Sequence, residues 1–478
     1  MRDRTLLSSA LVAITLSFGC GGPPESARLA QHYLAQGQFD EADSAADRAL
    51  QKHPKDPTAW RVKIRVAMGR GTLDRGVALY REWKTLRGKH DSSAYRMMAM
   101  SDLWHGLRVP SPEIQARSIR IVELHRIEKL ADEVRRHLGS DSDLVAAAAA
   151  AALVTSHPAA PRIAVDLLTS DNPRARAIVV RSIGKKAGRI ARADIFPALK
   201  DPDAGVRRAA VSAIALWKNS DDRKRLINVA RTDKDGQVRA RAMRALLTLG
   251  GDATLALARQ KLSQGVLPGE SKSHYDSYLG VRLAAIAILD KRGGGDVVPM
   301  LEKLRDSEDI SIALRAAIAL HKRHKRDNTA LLQRAFQSDK AATRSAAINS
   351  ASALLSNAQA LAFGGRALLD SDGNVRLAAA RMLLHLGAEE QALAELRKAL
   401  RSENAALQLQ AAGDLAKRGA PQALALLSTL ATSGSPDERE AAIYAHRDAS
   451  LVTDGLISAL GDNSIAVRLA AADVILGK

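Results

Sequence analysis

Beyond about residue 100 the apolar positions fall into blocks of helical periodicity, each opened by the same polar phrase. Val206, Ala210, Ile214 and Trp217 follow a 3.6-residue spacing behind Asp201-Pro202-Asp203. That pattern predicts an amphipathic helix with one buried stripe. Proline disfavours helix at the residue before it, and the Asp203 carboxylate can cap the free amides of the next helix. The phrase therefore ends one helix and starts another. It reads DPDAGVRRAA at 201–210, DKDGQVRARA at 233–242, DSDGNVRLAA at 370–379 and GDNSIAVRLAA at 461–471. Aligned on Arg207, the units run Arg117, Ala146, Arg176, Arg207, Arg239, Arg282, Arg315, Arg344, Arg376, Gln408, Arg439 and Arg468. Successive gaps are 29–33 residues apart from one of 43. Repeats of that period stack side by side, each burying its apolar face against its neighbours. The predicted fold is all-α, a right-handed α-solenoid (α-α superhelix). Arg207 comes four residues after Asp203, within reach of a turn carboxylate in its own or the adjacent repeat. An Asp/Arg ladder linking turns is the structural reading, and a row of ligand-binding arginines is the alternative.

Residues 27–56 carry a different spacing. Ala30, Tyr33, Gly37, Phe39, Ala42, Ala49 and Pro54 stand where a tetratricopeptide helix–turn–helix has its small residues and closing proline. A weaker copy comes next with Trp60, Gly71, Tyr80 and Trp83, lacking the small residue and the proline. This part resembles one good and one degenerate tetratricopeptide repeat, expected to dock on the repeats C-terminal to it. From about residue 91 the pattern resembles HEAT repeats, specifically the short Ala-rich type of the phycobilisome lyases. The final helix, 463–476, has no capping segment after it. A partner, the membrane or a tolerated exposed stripe is expected there, because terminal repeats need a polar outer face.

Composition supports helices throughout. Apolar residues make up 46% of the chain and aromatics 3%, so the core must be built from Ala, Leu, Ile and Val. The run 145–154 is largely alanine and reads as a buried helix. Cys20 is the only cysteine, which excludes an internal disulfide. It lies behind a short basic start and an apolar run at 5–18, too short to span a bilayer and the right size for a signal-peptide core. This start resembles a bacterial lipoprotein signal with Cys20 as the lipidated residue, although Ser17 stands where the usual motif has Leu. An ordinary secretory signal and a cytoplasmic protein remain the alternatives. The expected organisation is signal peptide 1–19, lipidated cysteine and tether 20–26, tetratricopeptide-like repeats 27–90 and HEAT-like solenoid 91–478. The expected location is a bacterial cell envelope, as a membrane-anchored lipoprotein facing the periplasm or in the outer membrane.

Charge is uneven. Residues 174–244 hold 19 Lys/Arg against 7 Asp, a net of +12, whereas 361–478 hold 12 basic and 14 acidic residues. The basic stretch attracts anionic partners. Nucleic acid would be the first candidate in a cytoplasm, and HEAT-like alkylpurine DNA glycosylases use such a surface. The export signal argues against it and leaves lipid head groups, lipopolysaccharide or acidic protein segments. Plain decoration of exposed helix faces is the bland reading. Arg207, Arg208, Arg239 and Arg241 are its candidate binding residues. The 43-residue gap hosts an insertion at 263–279, read as a surface loop, where His274, Tyr275 and Tyr278 are concentrated. Insertions often mark a binding face, and they also arise freely.

Catalytic signals fail one by one. His321 and His324 share a predicted helix face, but Lys322, Arg323, Lys325 and Arg326 make the patch hostile to a cation. The HEAT-type deoxyhypusine hydroxylases bind di-iron through His-Glu dipeptides, and no histidine here precedes a glutamate. Bilin lyase activity has no motif to support it. Gly293-Gly294-Gly295 lacks the strand and the Lys-Ser/Thr of a phosphate loop and reads as a helix stop. The sequence thus predicts no enzyme, no cofactor and no metal. It predicts a scaffold binding a protein on the concave inner surface, touching the membrane only through its N-terminal lipid, with an anionic ligand on 174–244 as the alternative.

Overall fold

The computed structural model describes residues 23–186, 192–263, 272–324 and 326–478. The signal segment and Cys20 lie outside the described residues. Among those described, every regular element is a helix. They form two compact units, one from Met1–Ala152 with Gln408–Lys478, the other from Leu153–Leu407.

The first unit opens with two helical hairpins, Glu25–Ala35 with Phe39–Lys52 and Pro57–Gly69 with Leu73–Arg87. In the first hairpin Ala27, Ala30, Ala42, Ala45, Ala46 and Ala49 are fully buried. Their lack of bulk lets the two helices meet closely. Gly37 turns the chain at φ +74 and Gly71 does the same at +78, the left-handed region that glycine enters without strain. The second hairpin replaces small residues with a different device. Trp60 and Trp83 stack at 5.9 Å, and the buried Asp91 carboxylate binds Arg61 at 2.9 Å and Trp83 Nε1 at 3.2 Å. It also accepts from the Ala94 amide at 3.1 Å, capping the helix Ser92–Gly106. Burial alone would raise the Asp91 pKa, but these donors hold it below its ordinary value.

The last helix is covered by the chain itself. Ile465–Leu476 packs on Ser92–Gly106 and Pro112–Leu124, and Val467, Leu469, Ala470 and Ile475 are buried. Arg96 reaches the carbonyls of Ile475 and Leu476 at 3.5 and 3.4 Å, serving the otherwise unpaired end of that helix. Lys84 binds Asp454 at 2.5 Å, and Arg81 donates to Ser458 at 2.6 Å. The expectation of a partner, a membrane or a bare stripe at this end is corrected: the N-terminal helices occupy it. The tetratricopeptide segment does dock on later repeats, and those include the last ones.

His446 is fully buried in the same unit. Nδ1 lies 3.1 Å from the Ala442 carbonyl and Nε2 2.9 Å from the Thr453 hydroxyl, which fits one neutral tautomer. Burial lowers its pKa from 6.5 to about 4; the Ala442 contact opposes this and Lys478 adds to it. Below pH 6.5 the unfolded chain therefore takes up a proton that the folded chain refuses until about pH 4. Stability should fall as pH drops through that window, by roughly 3 kcal/mol in full. Melting temperatures from pH 7 to 4 should show this slope in the wild type and a flatter one in His446→Gln; equal slopes would reject the assignment.

In the second unit, helices of one layer begin at the repeat phrase: Pro173–Lys186, Ala204–Trp217, Gly236–Leu249, Lys272–Arg292, Ile310–His321, Ala341–Leu354 and Gly373–His385. Each packs directly on the next. Val206, Ala210 and Ile214 are fully buried as the periodicity requires. Trp217 is half-buried and donates to the Gly184 carbonyl at 3.2 Å. Alternating with these helices is a second layer of shorter ones such as Arg223–Thr232 and Val298–Arg305. Side-chain caps recur as expected: Asp203, Asp235, Asp309 and Asp372 each accept amides of the helix they open. The helix Lys272–Arg292 has 21 residues against 14 in Gly236–Leu249. The insertion read as a loop is thus helical from residue 272 onward, while 264–271 lie outside the described residues.

Candidate binding surfaces

The recurring arginine is a structural group. Arg207 Nε and Nη2 bind the two carboxylate oxygens of Asp233, in the next turn, at 2.8 and 3.0 Å. Its Nη1 donates back to the carbonyls of Asp201 and Pro202 at 2.8 and 3.0 Å. Arg176 with Asp201 and Arg344 with Asp370 repeat this geometry at 2.8–2.9 Å. Arg439 pairs with Asp462 likewise in the first unit. The planar guanidinium suits such a four-point clamp because its donors are fixed in a fork. Hydrogen bonds from Arg344 hold Asp370 below the usual carboxylate range, and those to Asp233 push Arg207 up. Arg207 is only 4% exposed. Offered as a binding-surface residue, it is instead part of the frame. Arg239 makes the same backward contacts, to the carbonyls of Asp233 and Lys234 at 2.7 and 3.3 Å.

Arg208 and Arg241 are brought together on adjacent helices. Arg208 donates to Gln237 at 2.5 Å, Arg241 donates to Ser212 at 2.9 Å, and Ser212 donates to the Arg208 carbonyl at 2.7 Å. Arg241 is exposed, Arg208 is half-buried, and Leu216 on the same helix is 55% exposed. Burial lowers the Lys261 pKa, and the charges of Arg239 and Arg231 add to that shift. His274, Tyr275 and Tyr278 fall in the first turns of Lys272–Arg292, and their side chains lie outside the described residues. The proposed helix face of His321 and His324 is corrected: the helix Ile310–His321 stops before His324. His321 Nδ1 contacts the Arg326 carbonyl and the Asn328 side chain. Among the described residues no group of three His, Cys, Asp or Glu could hold a metal ion, and no helix is long and apolar enough to cross a membrane.

Two cavities escape the sequence reading. In the first unit one of about 410 Å³ is lined by Arg117, Arg120, Ile121, Leu124, Tyr444, Arg447 and Asp473. Arg117 binds Glu440 at 2.6 Å and Tyr444 at 3.0 Å, while Asp473 holds Arg447 at 2.6 Å and His125 at 2.7 Å. These residues come from both ends of the chain, so no local pattern could have joined them. In the second unit a cavity of about 470 Å³ is lined by Arg376, Arg397, Lys398, Arg401, Ser402 and Leu407 with two alanines. Serine stands here at the turn position that holds Asp233 and Asp370, as it also does at 140 and 170, so the sequence alone did not single this cavity out.

The HEAT repeats family matches residues 161–247 and 366–447, and the Tetratricopeptide repeat family matches 28–91. No curated protein matches the chain. Among solved structures, the complex of CpcE and CpcF of phycocyanin lyase from Nostoc sp. PCC7120 aligns at 20% identity with TM-score 0.33, over 50% of this chain and 92% of that one. The UNC-45 chaperone aligns at 13% identity with TM-score 0.35, over 92% and 66%. Kap95p, bound to RanGDP, aligns at 13% identity with TM-score 0.37, over 89% and 62%.

Proposed function

We propose that this chain, a HEAT-repeat protein with an N-terminal tetratricopeptide segment, is a non-enzymatic scaffold of a bacterial cell envelope that holds a protein partner. Helical repeats of these families suit protein binding because the stack presents one long surface. The envelope context rests on the leader that ends at Cys20. The observation that carries the docking face is the Arg208–Gln237–Ser212–Arg241 network beside the exposed Leu216. It offers fixed donors next to an apolar contact, as interface centres do.

The test is affinity capture from envelope extracts with the wild type, Arg208→Glu/Arg241→Glu and the mislocalised Cys20→Ser. The double reversal is expected to lower retention of a specific protein at least about fivefold at unchanged melting temperature. Retention equal to wild type would move the partner off this face. The charges of Arg239 and Arg231 acting on Lys261 favour a second reading, an anionic polymer or lipid surface. That binding would decline steeply and log-linearly with salt, which protein docking through Leu216 would not.

A further inference from the structure

At Ser402 the ladder is interrupted. Arg376 keeps the backward half of its clamp, with Nη1 on the carbonyls of Asp370 and Ser371 at 2.7 and 3.0 Å. Forward, no turn carboxylate meets it. Ser402 occupies that turn position, accepting the Asn404 amide at 3.2 Å just as Asp233 accepts the Asp235 amide and Asp370 the Asp372 amide. Arg376 Nε goes instead to Glu395 at 2.7 Å. In four other rungs Nη2 binds a carboxylate oxygen at 2.8–3.0 Å. Among the described residues Nη2 of Arg376 makes no such bond.

Serine in this turn is not the signal by itself. Ser170 also stands there, but Ala146 replaces the arginine that would face it. Ser140 holds the turn that follows Arg117 in the repeat order, and the two Nη groups of Arg117 are taken up by Glu440. The site at 402 differs in what surrounds it. Arg397, Lys398 and Arg401 are exposed, make no ion pair among the described residues, and line the same 470 Å³ cavity as Arg376 and Ser402. Four cations line the cavity and no carboxylate does; Glu395 pairs with Arg376, and the exposed Glu403 follows Ser402. Leu407 and Ala399 supply an apolar wall. The segment 361–478 holds 12 basic and 14 acidic residues in all, four of those basic ones at this cavity, so the concentration of positive charge is local.

We infer that this cavity binds an acidic segment of a protein partner, one of whose carboxylates takes the place of the missing turn aspartate. A carboxylate matches the side-on pairing that the ladder uses at every intact rung, with Arg401 and Arg397 placed to engage adjacent acidic residues. Glu395 disfavours a dianionic phosphate more than a singly charged carboxylate. The inference rests on the protein-binding reading and names the chemistry of the partner at a surface separate from Arg208 and Arg241.

The experiment measures fluorescence anisotropy of a labelled Asp/Glu heptapeptide with the full-length chain, beside its Asn/Gln counterpart. The acidic peptide should bind and the neutral one should not. Ser402→Asp rebuilds the rung from within, so it should raise the melting temperature while weakening the peptide at least about tenfold. Arg397→Glu/Arg401→Glu should weaken it as much without altering melting. Absence of binding, equal binding of the neutral peptide, or unchanged affinity in both variants overturns the inference. So does displacement by millimolar inorganic phosphate, which would mark a simple oxyanion site. Envelope capture run in parallel separates the failures: partner retention without peptide binding rejects this site alone, whereas no retained protein rejects the scaffold reading.

Discussion

Replacing Leu469 with aspartate should open the helix Ser92–Gly106, which lies near the other end of the sequence. Leu469 is fully buried, and a Cβ added to Gly106 would come within 3.1 Å of its Cδ2. The substitution removes a leucine from a filled core and places an unpaired carboxylate there. Together these should cost about 4 kcal/mol or more. Asp102 sharpens the effect, because it is already a buried acid on the facing helix. Burial raises its pKa well above the ordinary value, against the pull of Arg468 at 3.4 Å. A second buried acid in this core would meet the same desolvation. Hydrogen exchange should rise at once in 465–476 and in 92–106, and remain low in Gly236–Leu249. Unchanged protection at 92–106 would mean that the two helices share no core. Leu469→Ala should show the same pattern at about 2–5 kcal/mol.

Arg207→Ala should destabilise the stack by about 3–5 kcal/mol, since it strands the buried Asp233 carboxylate and releases two turn carbonyls. The side chains of the pair are 5% and 6% exposed, so little water is available to compensate. Arg207→Lys should recover only a minor part. A single ammonium cannot meet both oxygens of Asp233 and the carbonyls of Asp201 and Pro202 in their fixed positions. Arg208→Ala, one residue away, should change stability by no more than about 0.5 kcal/mol, because its contact with Gln237 is at the surface. Urea unfolding of the three variants decides the matter; similar losses at 207 and 208 would contradict the ladder. The contrast also governs functional work. Any reversal that includes Arg207 or Arg239 perturbs the frame, so loss of binding in such a variant carries no information about the surface.

Local features were legible because local physics sets them. The caps at Asp203 and Asp235, the buried stripe of Val206, Ala210 and Ile214, and the glycine turn at 37 each depend on neighbours within a few residues. The Arg207–Asp233 rung was legible for a related reason, since it links adjacent repeats and recurs with their period. The insertion was misread beyond residue 271, because its polar residues carry no helical stripe and the helix there extends from the Val-Arg phrase behind it. Exposed basic residues were the hardest to sort. Arg207 and Arg208 look alike in the sequence, and their fates differ by the direction each takes from the helix.

What the sequence by itself determined is the repeating helix pair, its capping turns, its alanine-lined packing and the arginine–aspartate rungs that tie some adjacent turns together. What only the tertiary structure decided is that Ile465–Leu476 lies on Ser92–Gly106, and that Arg397, Lys398 and Arg401 gather around the interrupted rung at Ser402. The reason is one of range. Helix periodicity and capping are properties of a few consecutive residues, and each leaves its mark in their order. The meeting of two distant helices depends on the match between whole surfaces. Closing a longer loop adds only slowly to the entropic cost, so hundreds of intervening residues neither forbid such a meeting nor record it.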